Sequence, residues 1–160
     1  MSKINKITVT SKNNITVDNL FFKNEKPTEA LIVVFPGNGY ACDMPLLYYC
    51  TEAALQLGYD VINLKYFFQC SETEFENNDA DYRQVIDDCY SQLKNNVLNE
   101  NSYKNIVFAS KSLGTIFAGE TALLFSEVEI NHFFLTPLAG TIPHIEKSAC
   151  TVVVGKDDNH

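Results

Sequence analysis

Short apolar runs alternate with amphipathic helical patterns along most of this chain, and that alternation is the strongest constraint on its fold. The runs are ALIVVF at 30–35, DVINLKYF at 60–67, NIVFAS at 105–110, INHFFLTP at 130–137 and CTVVVG at 150–155. A continuous apolar run is typical of a strand that is covered on both faces. Strands that alternate with helices join by right-handed crossovers into a parallel sheet. The sequence therefore predicts an α/β fold.

The segments between these runs carry helix signals. We expect a first helix over about 44–57, with Asp43 as its cap, Pro45 in its first turn and Gly58 at its end. Apolar residues at helical spacing predict a second and a third helix, the third starting at Ser112. Their inward faces are predicted to hold Tyr82, Val85, Ile86, Cys89 and Leu93 in the second, and Leu113, Ile116, Phe117 and Leu124 in the third.

The first part of the chain has a different pattern. Residues 6–22 hold two β-rich stretches around the polar turn SKNN, which predicts an antiparallel hairpin. We therefore expect a mostly parallel central sheet with this hairpin at one edge and helices on both faces, giving three layers. A length of 160 residues fits one such domain, residues 1–160.

Charge and composition exclude several function classes. The net charge of −8 argues against binding to nucleic acid or to an anionic membrane surface. No stretch approaches the roughly 20 apolar residues of a transmembrane helix, and residues 1–10 lack an apolar signal core, so the sequence predicts a cytoplasmic protein. The five cysteines show no metal-ligand or disulfide pattern and are expected to be small buried residues.

The stretch Ser110-Lys111-Ser112-Leu113-Gly114 joins a predicted strand directly to a predicted helix. It resembles the nucleophile elbow G-x-S-x-G of the α/β-hydrolase superfamily, with serine in place of the first glycine. The resemblance implies that Ser112 is a nucleophile in a strained turn and that the Leu113 amide stabilises an oxyanion. The alternative interpretation is that Ser112 caps its helix.

Two further stretches fit the same superfamily in chain order. VVFPGNGY at 33–40 resembles the loop after the third strand, which implies that the Asn38 amide is the second oxyanion donor; a glycine-rich turn that starts the helix is the alternative. TVVVGKDD at 151–158 resembles the strand that delivers the catalytic acid, which implies Asp158, with its neighbour Asp157 as the second choice.

The catalytic histidine is the point at which the pattern departs from the family. The resemblance places it after a further strand, whereas the sequence ends two residues after Asp158, at His160. His160 and His144 are weak candidates for the base, and His132 lies within an apolar strand. We expect a domain that is incomplete at its C-terminus; a partner chain that supplies the missing elements and an inactive relative are the alternatives. An uncovered CTVVVG strand would be a sheet edge, through which two copies could form a symmetric dimer.

The resemblance implies a serine hydrolase that cleaves a small ester, thioester or related acyl substrate through an acyl-enzyme. That route needs neither cofactor nor metal. The alternative is a non-catalytic binding or scaffold domain of the same fold, consistent with the missing base and with Ser110 in the elbow. The aromatic residues near the predicted site either line an apolar acyl pocket or belong to the core. They are Tyr40, Tyr48, Tyr49, Tyr66, Phe67 and Phe68.

Overall fold

The computed structural model describes residues 2–11, 14–70 and 75–156, and in these residues seven strands form one sheet. Across the sheet the strands run in the order β1-β2-β4-β3-β5-β6-β7. Their bounds are Ser2–Thr10 (β1), Thr16–Asn24 (β2), Ala30–Phe35 (β3), Asp60–Asn63 (β4), Asn105–Lys111 (β5), Ile130–Leu135 (β6) and Cys150–Val153 (β7).

Strand direction divides the sheet into two parts. β1 and β2 form an antiparallel hairpin from Ser2 opposite Asn24 to Thr10 opposite Thr16, and β2 also runs antiparallel to β4. The five strands from β4 to β7 in the sheet order are parallel. The predicted fold class is thereby confirmed, although the hairpin is longer than residues 6–22.

Four α-helices connect the strands of the described residues. They are Pro45–Gln56 (α1), Asp79–Leu93 (α2), Leu113–Leu123 (α3) and the short Ile142–Lys147 (α4). Leu47 and Ala54 of α1 pack with Val34 and Val61 on one face of the sheet. On the other face, α2 and α3 cover a larger core that includes Phe35, Phe108 and Phe117. This gives the predicted three layers. None of these helices is both long enough and apolar enough to cross a bilayer.

Some element boundaries differ from the sequence-based expectations, in one case because a side chain far along the chain binds a backbone amide. β4 ends at Asn63 rather than continuing through 67, because the Lys65 amide donates to Asn19 Oδ1 of β2 at 2.7 Å. Residues 67–69 form a 3₁₀ turn instead. The N-cap of α1 is Met44, without a side-chain cap, and not Asp43.

Two further expectations concern the later helices. Leu124 is the C-cap of α3 and is 44% exposed, so it does not belong to the inward face. The connection between β6 and β7 contains α4, which the sequence did not predict. Pro143 lies in its first turn, where the missing amide hydrogen has no helical partner to lose.

Candidate functional site

Ser112 occupies a single-residue corner between β5 and α3. Its φ of 51° and ψ of −122° lie in a region that costs a residue with a side chain of order 1–3 kcal/mol. Hydrogen bonds on both sides hold the corner. The Ser112 amide donates to the Leu135 carbonyl of β6 at 3.1 Å, and the Ser112 carbonyl accepts from the Thr115 amide and hydroxyl at 3.0 and 2.6 Å.

The Ser112 side chain takes no part in holding its own backbone. The residue is half-buried, and although it is the N-cap of α3 its hydroxyl makes no capping hydrogen bond. No side chain or backbone group of the described residues pairs with that hydroxyl. Ser112 is therefore the N-cap by position only, since its side chain does not cap the helix, and a strained corner presents an unpaired hydroxyl at the carboxyl end of the parallel strands.

Two glycines let the loop after β3 lie directly against this corner. A β-carbon added at Gly114 would lie 2.3 Å from the Pro36 carbonyl oxygen, which is well inside contact distance. A β-carbon added at Gly37 would lie 3.4 Å from the Ser112 Cβ and 3.1 Å from the Lys111 carbonyl oxygen. The backbone of residues 36–37 therefore packs on the Ser112 turn.

The loop itself is a tight turn. The Gly37 amide donates to the Tyr40 carbonyl at 2.9 Å, and Gly39 has a φ of 66°, which glycine adopts without strain. Asn38 is exposed at the tip of this turn. Its amide and that of Leu113, the first residue of α3, have no hydrogen-bond acceptor anywhere in residues 2–11, 14–70 and 75–156. Both residues named as oxyanion donors thus keep a free backbone donor.

Two further side chains bind the carbonyls of this loop: Tyr66, which the sequence suggested only as a pocket or core residue, and Gln69, which it did not indicate. The buried Tyr66 hydroxyl donates to the Pro36 carbonyl at 2.9 Å, and Gln69 Nε2 donates to the Gly37 carbonyl at 3.3 Å. Burial raises the pKa of Tyr66 well above its ordinary value, so its hydroxyl stays protonated and remains a donor. For Gln69, the only sequence signal is the position of YFFQ, residues 66–69, after a predicted strand.

Lys111 brings a positive charge to the same end of β5. Its Nζ lies 4.4 Å from the centre of the Tyr40 ring and 3.3 Å from Thr136 Oγ1. A cation over an aromatic face is attracted by the ring quadrupole. Lys111 therefore links the residue 36–40 loop to the end of β6.

A cavity of about 360 Å³ opens beside the loop, within the size range of small-molecule sites. Its lining consists of Asn38, Gly39, Tyr40, Ala41, Met44, Phe68 and Gln69. Of the six aromatic residues considered as pocket or core, Tyr40 and Phe68 line this cavity. Tyr66 and Phe67 are each 2% exposed and belong to the core, while Tyr48 and Tyr49 lie on the outer face of α1.

The histidines in the described part of the chain lie away from Ser112. His144 of α4 pairs with Glu120, with His144 Nε2 2.9 Å from Glu120 Oε1, and its ring packs on Gly119. Gly119 is seven residues after Ser112, about 10 Å along α3. The structure therefore does not bring His144 and Ser112 together.

His132 is a core residue. Its ring stacks on Phe134, with centroids 4.7 Å apart, and meets Phe108 edge-on. Burial, with a smaller effect from the neighbouring His144, lowers its pKa to about 4. His132 is therefore neutral at pH 7 and lies on the side of the sheet filled by the main core.

The predicted catalytic acid lies outside the described residues. Asp158, its alternative Asp157 and His160 all follow Lys156, the last residue that the structure describes. β7 is parallel to β5 and β6, so its carboxyl end lies at the same edge of the sheet as theirs. Asp158 accordingly stays a prediction.

Metal-binding chemistry has no arranged ligand set in the described residues, where no group of three His, Cys, Asp or Glu residues is placed to hold an ion. All five cysteines are free thiols. Burial raises the pKa of Cys42 and Cys89 far above the ordinary value, so both thiols are unreactive.

Comparison with solved structures decides the fold. An esterase from Pyrococcus furiosus matches with a TM-score of 0.67 over 85% of this chain and 53% of that one, at 14% identity. An alpha-beta serine hydrolase homologue from Coxiella burnetii matches with a TM-score of 0.69 over 94% of this chain and 73% of that one, also at 14% identity. The chain has the α/β-hydrolase fold.

Carboxyl esterase 2 of the mycorrhizal fungus Tuber melanosporum has the same α/β-hydrolase fold, with a TM-score of 0.62 at 14% identity over 86% of this chain and 46% of that one. The chain thus spans about half the length of the two esterases. No protein-family model matches the sequence, and a search of curated proteins gives no match. TM-scores of 0.62 to 0.69 establish a shared α/β-hydrolase fold, and because the identity is only 14% the reaction has to be argued from the site.

Proposed function

We propose that this protein is a serine hydrolase that cleaves a small ester, thioester or related acyl substrate through an acyl-enzyme. The observation that supports it most directly is the geometry at Ser112. A non-glycine residue is held at positive φ by hydrogen bonds to β6 and α3, and its hydroxyl is unpaired in the described structure. Strain that the surrounding structure imposes on one residue is concentrated at functional sites.

In the proposed mechanism, Ser112 Oγ attacks the acyl carbon while a base accepts its proton. The negative charge that develops on the acyl oxygen is stabilised by the amides of Leu113 and Asn38, and the α3 N-terminus favours the same charge. Collapse of the tetrahedral intermediate expels the alcohol or thiol, which takes up the proton. Water then attacks the acyl-enzyme by the same steps and restores Ser112.

The proposal requires a histidine base, with Asp158 (or Asp157) to orient it and stabilise the imidazolium. His144 is a poor choice because its Nε2 is bonded to Glu120 two helical turns from Ser112. His160 remains the candidate beyond Lys156. The mechanism uses no cofactor and no metal, because protein groups supply every proton and nucleophile in it.

The cavity beside Asn38 supports a small substrate. Tyr40, Met44 and Phe68 offer it apolar contact and Asn38 and Gln69 offer it polar groups, a mixed lining that suits a short acyl or alcohol group. The acidic chain, with a net charge of −8, disfavours polyanionic substrates such as nucleic acid.

A non-catalytic binding domain of the same fold is the second candidate, and one observation favours it. Within residues 2–11, 14–70 and 75–156, no imidazole lies beside the Ser112 hydroxyl, and a serine without a base is a weak nucleophile at neutral pH. Such a domain would bind a ligand in the cavity beside Asn38 and would not hydrolyse it.

Covalent labelling separates the two candidates. The full chain is treated with a fluorophosphonate probe and compared with Ser112→Ala and with Ser110→Ala, a matched control two residues away whose hydroxyl is buried. We expect labelling of the wild type and of Ser110→Ala, and none of Ser112→Ala. Equal labelling of all three proteins, or none of the wild type, contradicts the proposed function. Turnover of p-nitrophenyl esters that depends on Ser112 contradicts the binding-domain alternative.

A further inference from the structure

We propose that Gln69 is a positioning residue for the oxyanion donor at Asn38. This inference rests on the proposed function and adds to it a residue outside the nucleophile turn. The site has two backbone donors, and they are held differently. The Leu113 amide is fixed by α3, whereas the Asn38 amide lies at the exposed tip of a loop and needs another restraint.

Gln69 adds a restraint from outside the loop through the peptide that links Gly37 to Asn38. Gln69 Nε2 donates to the Gly37 carbonyl oxygen at 3.3 Å, and the Tyr40 amide, within the loop, donates to the same oxygen at 3.4 Å. The C=O and N–H of one trans peptide are coplanar and point in opposite directions. A donor that binds the Gly37 carbonyl therefore fixes the direction of the Asn38 N–H, which has no acceptor of its own in the described structure.

The Gln69 side chain is itself held in place. Its side-chain Oε1 accepts from the backbone amide of Tyr66 at 2.9 Å, while the backbone amide of Gln69 donates to the Tyr66 carbonyl at 3.0 Å. The side-chain amide of Gln69 thus bridges two segments: its oxygen binds the 3₁₀ turn, and its nitrogen binds the loop after β3. The preceding peptide of the loop is bound in the same way, by the Tyr66 hydroxyl on the Pro36 carbonyl.

Because the oxygen of the Gln69 side chain binds Tyr66 and its nitrogen binds Gly37, a substitution can remove the hydrogen bond to Gly37 and keep the one to Tyr66. Gln69→Glu keeps an oxygen that accepts from the Tyr66 amide but loses the donor to Gly37, and it places a carboxylate beside a carbonyl oxygen. Gln69→Met loses both hydrogen bonds. Gln56→Glu, at the exposed end of α1, is a control for the same change in charge and chemistry.

Removal of one oxyanion donor lowers kcat about 10²- to 10³-fold. Loss of the group that orients such a donor should lower kcat less, because the donor is still present. We expect Gln69→Glu and Gln69→Met to lower kcat on p-nitrophenyl esters about 10- to 100-fold, with KM changed less than about threefold. The rate of labelling by the fluorophosphonate should fall in parallel, and Gln56→Glu should match the wild type. In NMR spectra of the uniformly labelled full chain, the amide signals of residues 37–39 should shift or broaden in both Gln69 variants.

The outcomes distinguish this inference from the proposed function. If the wild type is labelled at Ser112 and Gln69→Glu retains wild-type kcat, Gln69 does not position the donor and the serine hydrolase proposal stands. If Gln69→Glu is normal and only Gln69→Met is impaired, Gln69 serves the 3₁₀ turn and the inference is wrong. If the wild type is not labelled at Ser112, the proposed function fails and the catalytic role of Gln69 fails with it.

Discussion

Ser112 combines an unpaired hydroxyl with backbone angles that glycine adopts more readily than serine. Ser112→Gly should therefore be more stable to unfolding than Ser112→Ala by about 1 kcal/mol, because relief of strain exceeds the entropy that glycine gains in the unfolded chain. Urea unfolding of both variants measures the difference. At Ser110, within β5, the order should be reversed: Ser110→Gly should be less stable than Ser110→Ala by about 0.5–1 kcal/mol. Equal signs at the two positions would show that the turn is unstrained.

His132 makes the stability of the fold depend on pH. Its pKa is about 4 in the folded protein against an ordinary 6.5, because burial between aromatic rings disfavours the charged form. The unfolded chain therefore binds more protons between pH 6.5 and 4, and stability that is present above pH 6.5 is lost as the pH falls through this range. Between pH 7 and 5 the loss should be about 2 kcal/mol.

The measurement is urea unfolding of the wild type and His132→Phe at pH 7 and pH 5. A phenyl ring keeps the stacking on Phe134 and cannot be protonated, so the variant should lose about 2 kcal/mol less than the wild type over this interval. Carboxylates titrate alike in both proteins, so the difference isolates His132. Identical losses would mean that His132 is protonated in the fold at its ordinary pKa.

At the scale of helices and strands, the elements that the sequence predicted are those that carry their own signal. β3 and β5 are buried on both faces of the sheet and therefore appear in the sequence as continuous apolar runs, and α3 appears as apolar residues at helical spacing. The corner at Ser112 also follows, because the strand and the helix adjoin without room for a loop. Its resemblance to a nucleophile elbow therefore indicated a real backbone feature.

The elements that the sequence missed depend on partners far along the chain. β4 stops at Asn63: the Leu64 amide still binds the Val34 carbonyl, but the Lys65 amide binds the side chain of Asn19, 46 residues away, and no pattern within 60–67 encodes that. The hydrogen bond from Gln69 to Gly37 spans 32 residues and is equally invisible locally. His144 was considered as a base because its loop is near the carboxyl edge of the sheet, yet a short helix turns it toward Glu120. Pairing between distant segments is decided by the packed fold and cannot be obtained from local spacing.

At the scale of the whole molecule, β7 forms one edge of the described sheet. Among the described strands it pairs only with β6 and ends the sheet, and Val152, Val153 and Val154 are 37%, 45% and 58% exposed. The carbonyl of Ala149 accepts from the His132 amide of β6, and that of Val153 accepts from the amide of Thr136, the residue after β6. Because bonding alternates along a parallel strand, Val152 directs its amide to the outer edge. An uncharged edge of this kind can pair with another strand.

A symmetric dimer through β7 stays a prediction, and the direction of the Val152 amide gives it a specific test. Val152→Pro removes an outward donor while leaving the bonds to β6 intact, since proline is tolerated at a sheet edge. Val152→Ala shortens the same side chain and keeps the amide. If two copies pair through this strand, sedimentation at micromolar concentration should give a dimer for the wild type and for Val152→Ala, and a monomer for Val152→Pro. A dimer in all three proteins would place the contact elsewhere, and a wild-type monomer would mean that β7 pairs with no second copy at that concentration.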